Sequence, residues 1–187
     1  MRSVEERYKF IAKSASNYAI LSLGISCFWI EASSLVNSNV RIQNRTFNIL
    51  TSCLDDFMME PQSIKFLSSH GFDFNQNFKN GLGYHKGNDT SETMTKKQIK
   101  TSSSNNYLIR NLIVKIAELK IPIVLHNGFI DLIFIYENFY AKCPENLMKF
   151  VADLSEIFSG GIYDTKYIGD FHAHANASFL EYSFHIR

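Results

Sequence analysis

The sequence predicts an α/β domain, a mixed sheet flanked by helices. Two observations carry that expectation. The apolar segments run in the order β, β, α, loop, α, β, α, α, β, α, with a hairpin first and helix–strand alternation after it. Ile121–Tyr140, IPIVLHNGFIDLIFIYENFY, reads as a strand, a sharp corner and a helix that is apolar nearly all round. In layered α/β sheets, sites gather where strands end and helices begin, and His126–Asp131 occupies such a place.

The elements follow in order. Glu5–Ala15 reads as a polar helix with Tyr8, Ile11 and Ala12 inward. Tyr18–Ile30 reads as a long strand whose Ile20–Ile25 run is nearly continuous in apolar and small residues, as in a strand covered on both faces. After a polar turn at Ser33–Asn39, Val40–Leu50 forms the second arm of the hairpin, anchored by Ile42, Phe47 and Ile49. Pro61–Ser69 is a helix, with Pro61 at its first position and Gly71 at its exit, and Ile64, Phe66 and Leu67 give its apolar face. Residues 72–106 read as loop, with 82–106 a loop insertion in a domain spanning 1–187. Tyr107–Leu119 is a helix with Ile109, Leu112, Ile113 and Ile116 on one stripe and Arg110 facing outward. Beyond the corner, Pro144 opens a helix carrying Leu147, Phe150, Val151, Leu154, Ile157 and Phe158 inward. Gly161–Ile168 is a short strand, and His172–Arg187 is a helical tail in which Phe179, Leu180, Tyr182 and Phe184 require burial.

Composition excludes several classes. The 187 residues are 45% hydrophobic with 16 Phe and 9 Tyr, enough for a core. A net charge of +1 provides no overall field toward nucleic acid or an anionic membrane. The one locally basic stretch lies between Lys79 and Asn106, where five lysines face Asp89 and Glu92. Three separated cysteines, Cys27, Cys53 and Cys143, form no disulfide or zinc spacing and fit a reducing, intracellular compartment. No window is apolar enough to span a membrane, so no membrane partner is expected.

The chemistry concentrates on Asp131. Its sequence neighbours Phe129, Ile130, Leu132 and Ile133 are apolar, so a buried carboxylate is expected there, and it needs a partner. The partner is a metal ion, a cation, or the backbone N–H groups at the positive end of its own helix. His126 and Asn127 either bond the corner and cap the helix or shape a site beside Asp131. Asp164 is read as accepting neighbouring backbone N–H groups, with a strand-end ligand as the alternative. His172, His174 and His185 have no partner that would make a general base.

Six segments resemble one family in order and spacing. They are EERYK at Glu5–Lys9, ILSLGISCF at Ile20–Phe28, EPQSIKFLSSHGFDFNQ at Glu60–Gln76, YHKGND at Tyr84–Asp89, HNGFIDLIF at His126–Phe134 and GIYDTKY at Gly161–Tyr167. Together they resemble the DEDD-type 3′→5′ exoribonucleases of the CAF/poly(A)-specific-ribonuclease group. Within it they are nearest the target-of-EGR branch, nuclear enzymes of Cajal bodies that trim 3′ tails of small nuclear RNAs. The resemblance implies a ribonuclease H-like fold, RNA 3′ ends as substrate, and Mg²⁺ held by four acids with a histidine base. Carried over, Asp131 is a metal ligand and catalytic residue. The family's first strand, with its Asp-x-Glu pair, and its last His…Asp motif have no counterpart here. The expectation is therefore a partial domain lacking the first central strand, inactive alone and poorly soluble, with open apolar edges at Tyr18–Ile30 and Ile121–Leu125 unless those strands pair together. The alternative is a non-catalytic remnant that binds RNA or protein, with Lys86, Lys96, Lys97 and Lys100 contacting nucleic acid beside His126 and Asn127.

Overall fold

The computed structural model describes residues 3–31, 40–88, 107–172 and 179–181. Helix α1, Val4–Asn17, opens with a capping box: the Ser3 hydroxyl accepts from the Glu6 N–H at 3.1 Å and Glu6 accepts from the Ser3 N–H at 2.8 Å. Removing that cap as Ser3→Ala is expected to cost about 1 kcal/mol, read as a lower urea midpoint at unchanged slope.

Strand β1, Ser22–Ile30, pairs antiparallel with β2, Ile42–Cys53, from Ser22↔Leu50 to Ile30↔Ile42. The hairpin is as expected, but its covering is not. Phe28 is 67% and Trp29 47% exposed, and Ile42 and Phe47 are exposed as well. Leu23 and Ile49, near the base of the ribbon, reach the core that holds Cys53. An apolar run shows that a strand has two greasy faces, not that both find a neighbour.

Helix α2, Pro61–Ser69, matches its expected span, although Phe66 lies outward with its ring 4.1 Å from that of His70. The loop expected from residue 72 onward is corrected at three places. Helix α3, Phe74–Asn80, is capped by Asp73, whose carboxylate accepts from the Gln76 N–H at 2.9 Å. Its buried Asn77 donates to the carbonyls of Leu21 at 2.7 Å and Thr51 at 3.0 Å, tying the helix to the hairpin base. Strand β3, Leu82–Tyr84, then pairs parallel with Thr51–Cys53, and a 3₁₀ turn follows at Lys86–Asn88. The expected turn at Ser33–Asn39 and the loop over 89–106 lie outside the described residues.

Helix α4, Leu108–Glu118, buries Ile109 and Ile113. Arg110 turns inward instead of outward: its guanidinium donates to the Tyr140 carbonyl and lies 5.6 Å from that ring's centre. Strand β4, Ile123–Leu125, leads into α5, Phe129–Ile135, which continues as a wider π-type turn through Tyr136–Tyr140. Helix α6, Leu147–Ile157, is capped by Asn146, which accepts from the Lys149 N–H; Val151, expected inward, is exposed. Strand β5, Ile162–Asp164, runs parallel to β4 with Leu125 opposite Asp164.

The described strands thus form two sheets, β1-β2-β3 and β4-β5. The two expected edge strands do not pair with each other among the described residues; each keeps one strand neighbour. The orientation of the β1 edge follows from its ladder. Thr51 N–H donates to Leu21 O and Glu31 N–H to Arg41 O, which marks the odd-numbered residues as the bonded partners of β2. The amides of Ser22, Gly24, Ser26, Phe28 and Ile30 therefore point away from the ladder. Two cores hold the layers together: Tyr8, Leu132, Ile133, Tyr136, Phe150 and Leu154 between α1, α5 and α6, and Cys53, Tyr84, Ile109, Ile113 and Phe139 under the larger sheet.

Candidate functional site

Because β4 and β5 are parallel, their C-terminal ends open on the same side. Asn127 follows β4 with φ +55, a left-handed conformation that Asn tolerates better than most residues. Gly128, the N-cap of α5, has no room for a side chain, since a Cβ there would lie 2.5 Å from that of Leu125. The Asn127 side chain does not cap the helix. Asp164 accepts the neighbouring amides of Lys166 and Tyr167, as the sequence suggests, and beyond that reading it also organises the corner from across the sheet. Its Oδ1 accepts from the N–H of Asn127 at 2.9 Å, Lys166 at 2.9 Å and Tyr167 at 3.3 Å, and its Oδ2 accepts from Gly128 at 2.9 Å. Partial burial works to raise the Asp164 pKa, but the four amides outweigh it and hold the carboxyl below its ordinary value.

Thr165 completes the clamp. Its hydroxyl donates to the Leu125 carbonyl at 3.1 Å and lies 2.9 Å from His126 Nδ1. Beside this corner is an open groove of about 420 Å³, lined by His126, Asn127, Ile130, Asp131 and Lys166, with Phe179 and Leu180 on the far wall. Those last two, expected to be buried, are exposed on that wall.

Asp131 is exposed, not buried. Apolar neighbours in sequence do not surround a residue in a helix, because successive side chains are about 100° apart. Leu132, Ile133 and Tyr136 turn into the core, while Ile130 and Asp131 turn toward the groove. The buried carboxylate of this segment is Glu137, 5% exposed, which accepts from the Cys143 N–H at 2.6 Å. Burial, and after it the carboxylate of Glu137, push the Cys143 thiol well above its ordinary range.

Sequence reasoning missed Lys166. Its position two residues beyond Asp164, at the same end of the parallel pair as His126, was the available signal. Its ammonium lies 3.3 Å from Asp170, and the residue lines the groove. Lys86 is elsewhere: its ammonium donates to the Ser16 carbonyl at 2.9 Å, and its N–H donates to Asp55 at 2.6 Å. Burial lowers the Lys86 pKa. Lys86 is thus a tie between α1 and the 3₁₀ turn. Lys96, Lys97, Lys100, His174 and His185 lie outside the described residues.

A two-ion site requires several carboxylates converging on ions about 3.5–4 Å apart. Among the described residues, no three His, Cys, Asp or Glu side chains come together in that way. Asp131 is the groove's carboxylate, and the oxygens of Asp164 are engaged by four amides. These residues do not fit a two-ion clamp.

A sequence profile described as "CAF1 family ribonuclease" matches residues 1–108 and 91–186. The chain belongs to the CAF1 ribonuclease family, and its helices around small sheets agree with that family's ribonuclease H-like fold. It is also similar to an uncharacterized protein of Schizosaccharomyces pombe, 33% identical over 85 residues, covering 44% of this chain and 20% of that protein. Poly(A)-specific ribonuclease PARN is 29% identical over 105 residues in Bos taurus and 28% in Homo sapiens, covering 54% of this chain and 16% of each relative. The matches thus span a fifth or less of these relatives' lengths. Among the described residues, no helix is long and apolar enough to cross a membrane.

Proposed function

We propose that this chain is an RNA 3′-end-binding part of a 3′→5′ exoribonuclease that removes adenylate or other 3′ extensions, and that it binds RNA without degrading it alone. The observation that carries this is the juxtaposition of Asp131, His126 and Lys166 around one groove at the end of a parallel strand pair, in a chain of ribonuclease lineage. Lys166 supplies a cation for phosphate, and Ile130, Phe179 and Leu180 supply apolar surface for a base. In the complete activity the cofactor would be Mg²⁺, with Asp131 as one ligand. That the groove holds one carboxylate among the described residues is the reason cleavage is not expected from this chain alone. The sequence likeness to the target-of-EGR branch suggests small nuclear RNAs as substrates and the nucleus, in Cajal bodies or the nucleolus, as the location. The alternative in which Lys86 contacts RNA is disfavoured by its bond to Ser16.

Fluorescence anisotropy with a 5′-labelled, oligo(A)-tailed RNA tests the site. Lys166→Ala is expected to weaken binding roughly fivefold and reduce the salt slope by about one unit. Its exposed pair with Asp170 is worth little to stability, so the fold should survive. Unchanged affinity and salt slope in the variant would place the RNA elsewhere.

A further inference from the structure

Thr165 has one hydroxyl proton and two neighbours for it, the Leu125 carbonyl and His126 Nδ1. The carbonyl can only accept. Both contacts are satisfied together in one arrangement: Thr165 donates to Leu125, and Nδ1 carries the imidazole proton and donates to Thr165. That assigns neutral His126 to the Nδ1–H tautomer and leaves Nε2 with a lone pair. Nδ1 is tied back to the strand end, and His126 is itself part of the groove wall. The groove therefore offers a hydrogen-bond acceptor on an orientated ring beside a lysine that suits phosphate.

We propose that His126 reads the sugar of the bound nucleotide, with Nε2 accepting a hydrogen bond from a ribose hydroxyl. A hydroxyl is the donor that such a lone pair recognises, and it is the group that distinguishes RNA from its deoxy analogues. Thr165 is then a positioning residue, acting through the imidazole. The inference rests on the 3′-end-binding proposal above, and its test separates the two.

The tautomer is read on the unmodified chain from side-chain ¹⁵N shifts and couplings. The expected pattern is a protonated Nδ1 and a bare Nε2; a protonated Nε2 overturns the assignment. Binding is then measured with three labelled oligo(A) probes whose last nucleotide is ribose, 2′-deoxy or 3′-deoxy. The ribose probe is expected to bind roughly fivefold tighter than at least one deoxy probe, the size of one hydrogen bond, and the weaker probe identifies the hydroxyl. His126→Phe is expected to bring the ribose probe down to the deoxy level. Thr165→Val should narrow the gap between the ribose and deoxy probes, and Thr165→Ser, which keeps the hydroxyl, should restore it; a gap untouched by Thr165→Val overturns the positioning role. Equal binding of all three probes by the unmodified chain, or discrimination that persists in His126→Phe, overturns the role of His126 and leaves 3′-end binding standing. Failure to bind any probe overturns both.

Discussion

Phe150→Ala is expected to remove about 3–5 kcal/mol of stability, the range for deleting a buried aromatic ring. Phe150 is 0% exposed, and its ring centre lies 5.2 Å from that of Tyr8, 5.3 Å from Tyr136 and 6.5 Å from Phe129. These rings belong to α1, the turn after α5 and α5 itself, so one side chain on α6 joins the helices that carry the HNG corner. Tyr8 cannot simply collapse into the space, because its hydroxyl donates to the Pro144 carbonyl at 2.7 Å. Since domains are stable by only about 5–15 kcal/mol, the variant should be largely unfolded well below the urea midpoint of the parent. The neighbouring Val151→Ala, at an exposed position, should stay within about 0.5 kcal/mol. Equal losses from the two would contradict the packing described.

Asp164→Ala has the second-largest expected effect, about 1–3 kcal/mol. It orphans the amides of Asn127, Gly128, Lys166 and Tyr167 at once, but the site is partly solvated, so the loss falls below the sum of four charge-assisted bonds. Asp164→Asn is the sharper variant. The amide oxygen can keep the three N–H groups that meet Oδ1, but its NH₂ must face the Gly128 N–H, donor against donor. The pH dependence follows in sign. The folded-state pKa is depressed, so the carboxylate's contribution is present in full above its ordinary value of 3.8 and is lost as pH falls through the lower folded value. Urea midpoints measured from pH 6 downward should show the difference between parent and Asp164→Asn closing in acid. A gap that widens in acid would contradict the assignment.

The sequence showed elements where periodicity and caps agreed. The span of α2 was legible to the residue, because Pro61 and Gly71 punctuate it, and α4 was legible from its apolar stripe. Helix α3 was missed because FNQNFKN is mostly polar; its buried residue is Asn77, held by hydrogen bonds to carbonyls that only the tertiary fold provides. The exposure of Phe28 and Trp29 was also beyond sequence, since it depends on which elements pack across a sheet. At the site, the corner and the bonds of Asp164 to the Lys166 and Tyr167 amides were legible because they are local, whereas its bonds to Asn127 and Gly128 depend on the pairing of β4 with β5. The exposure of Asp131 was misjudged by treating sequence neighbours as spatial ones. Lys166 required knowing that β4 and β5 are parallel and adjacent, a long-range fact.

The most direct measurement is one gel series with a 5′-labelled, oligo(A)-tailed RNA and Mg²⁺, run native for binding and denaturing for length, with the parent chain and Asp131→Ala. The expected result is RNA bound by the parent and full length in every lane. RNA left unbound at every salt concentration would contradict the binding proposal. RNA shortened by the parent but not by Asp131→Ala would contradict the proposal that the one groove carboxylate among the described residues leaves this chain unable to cleave.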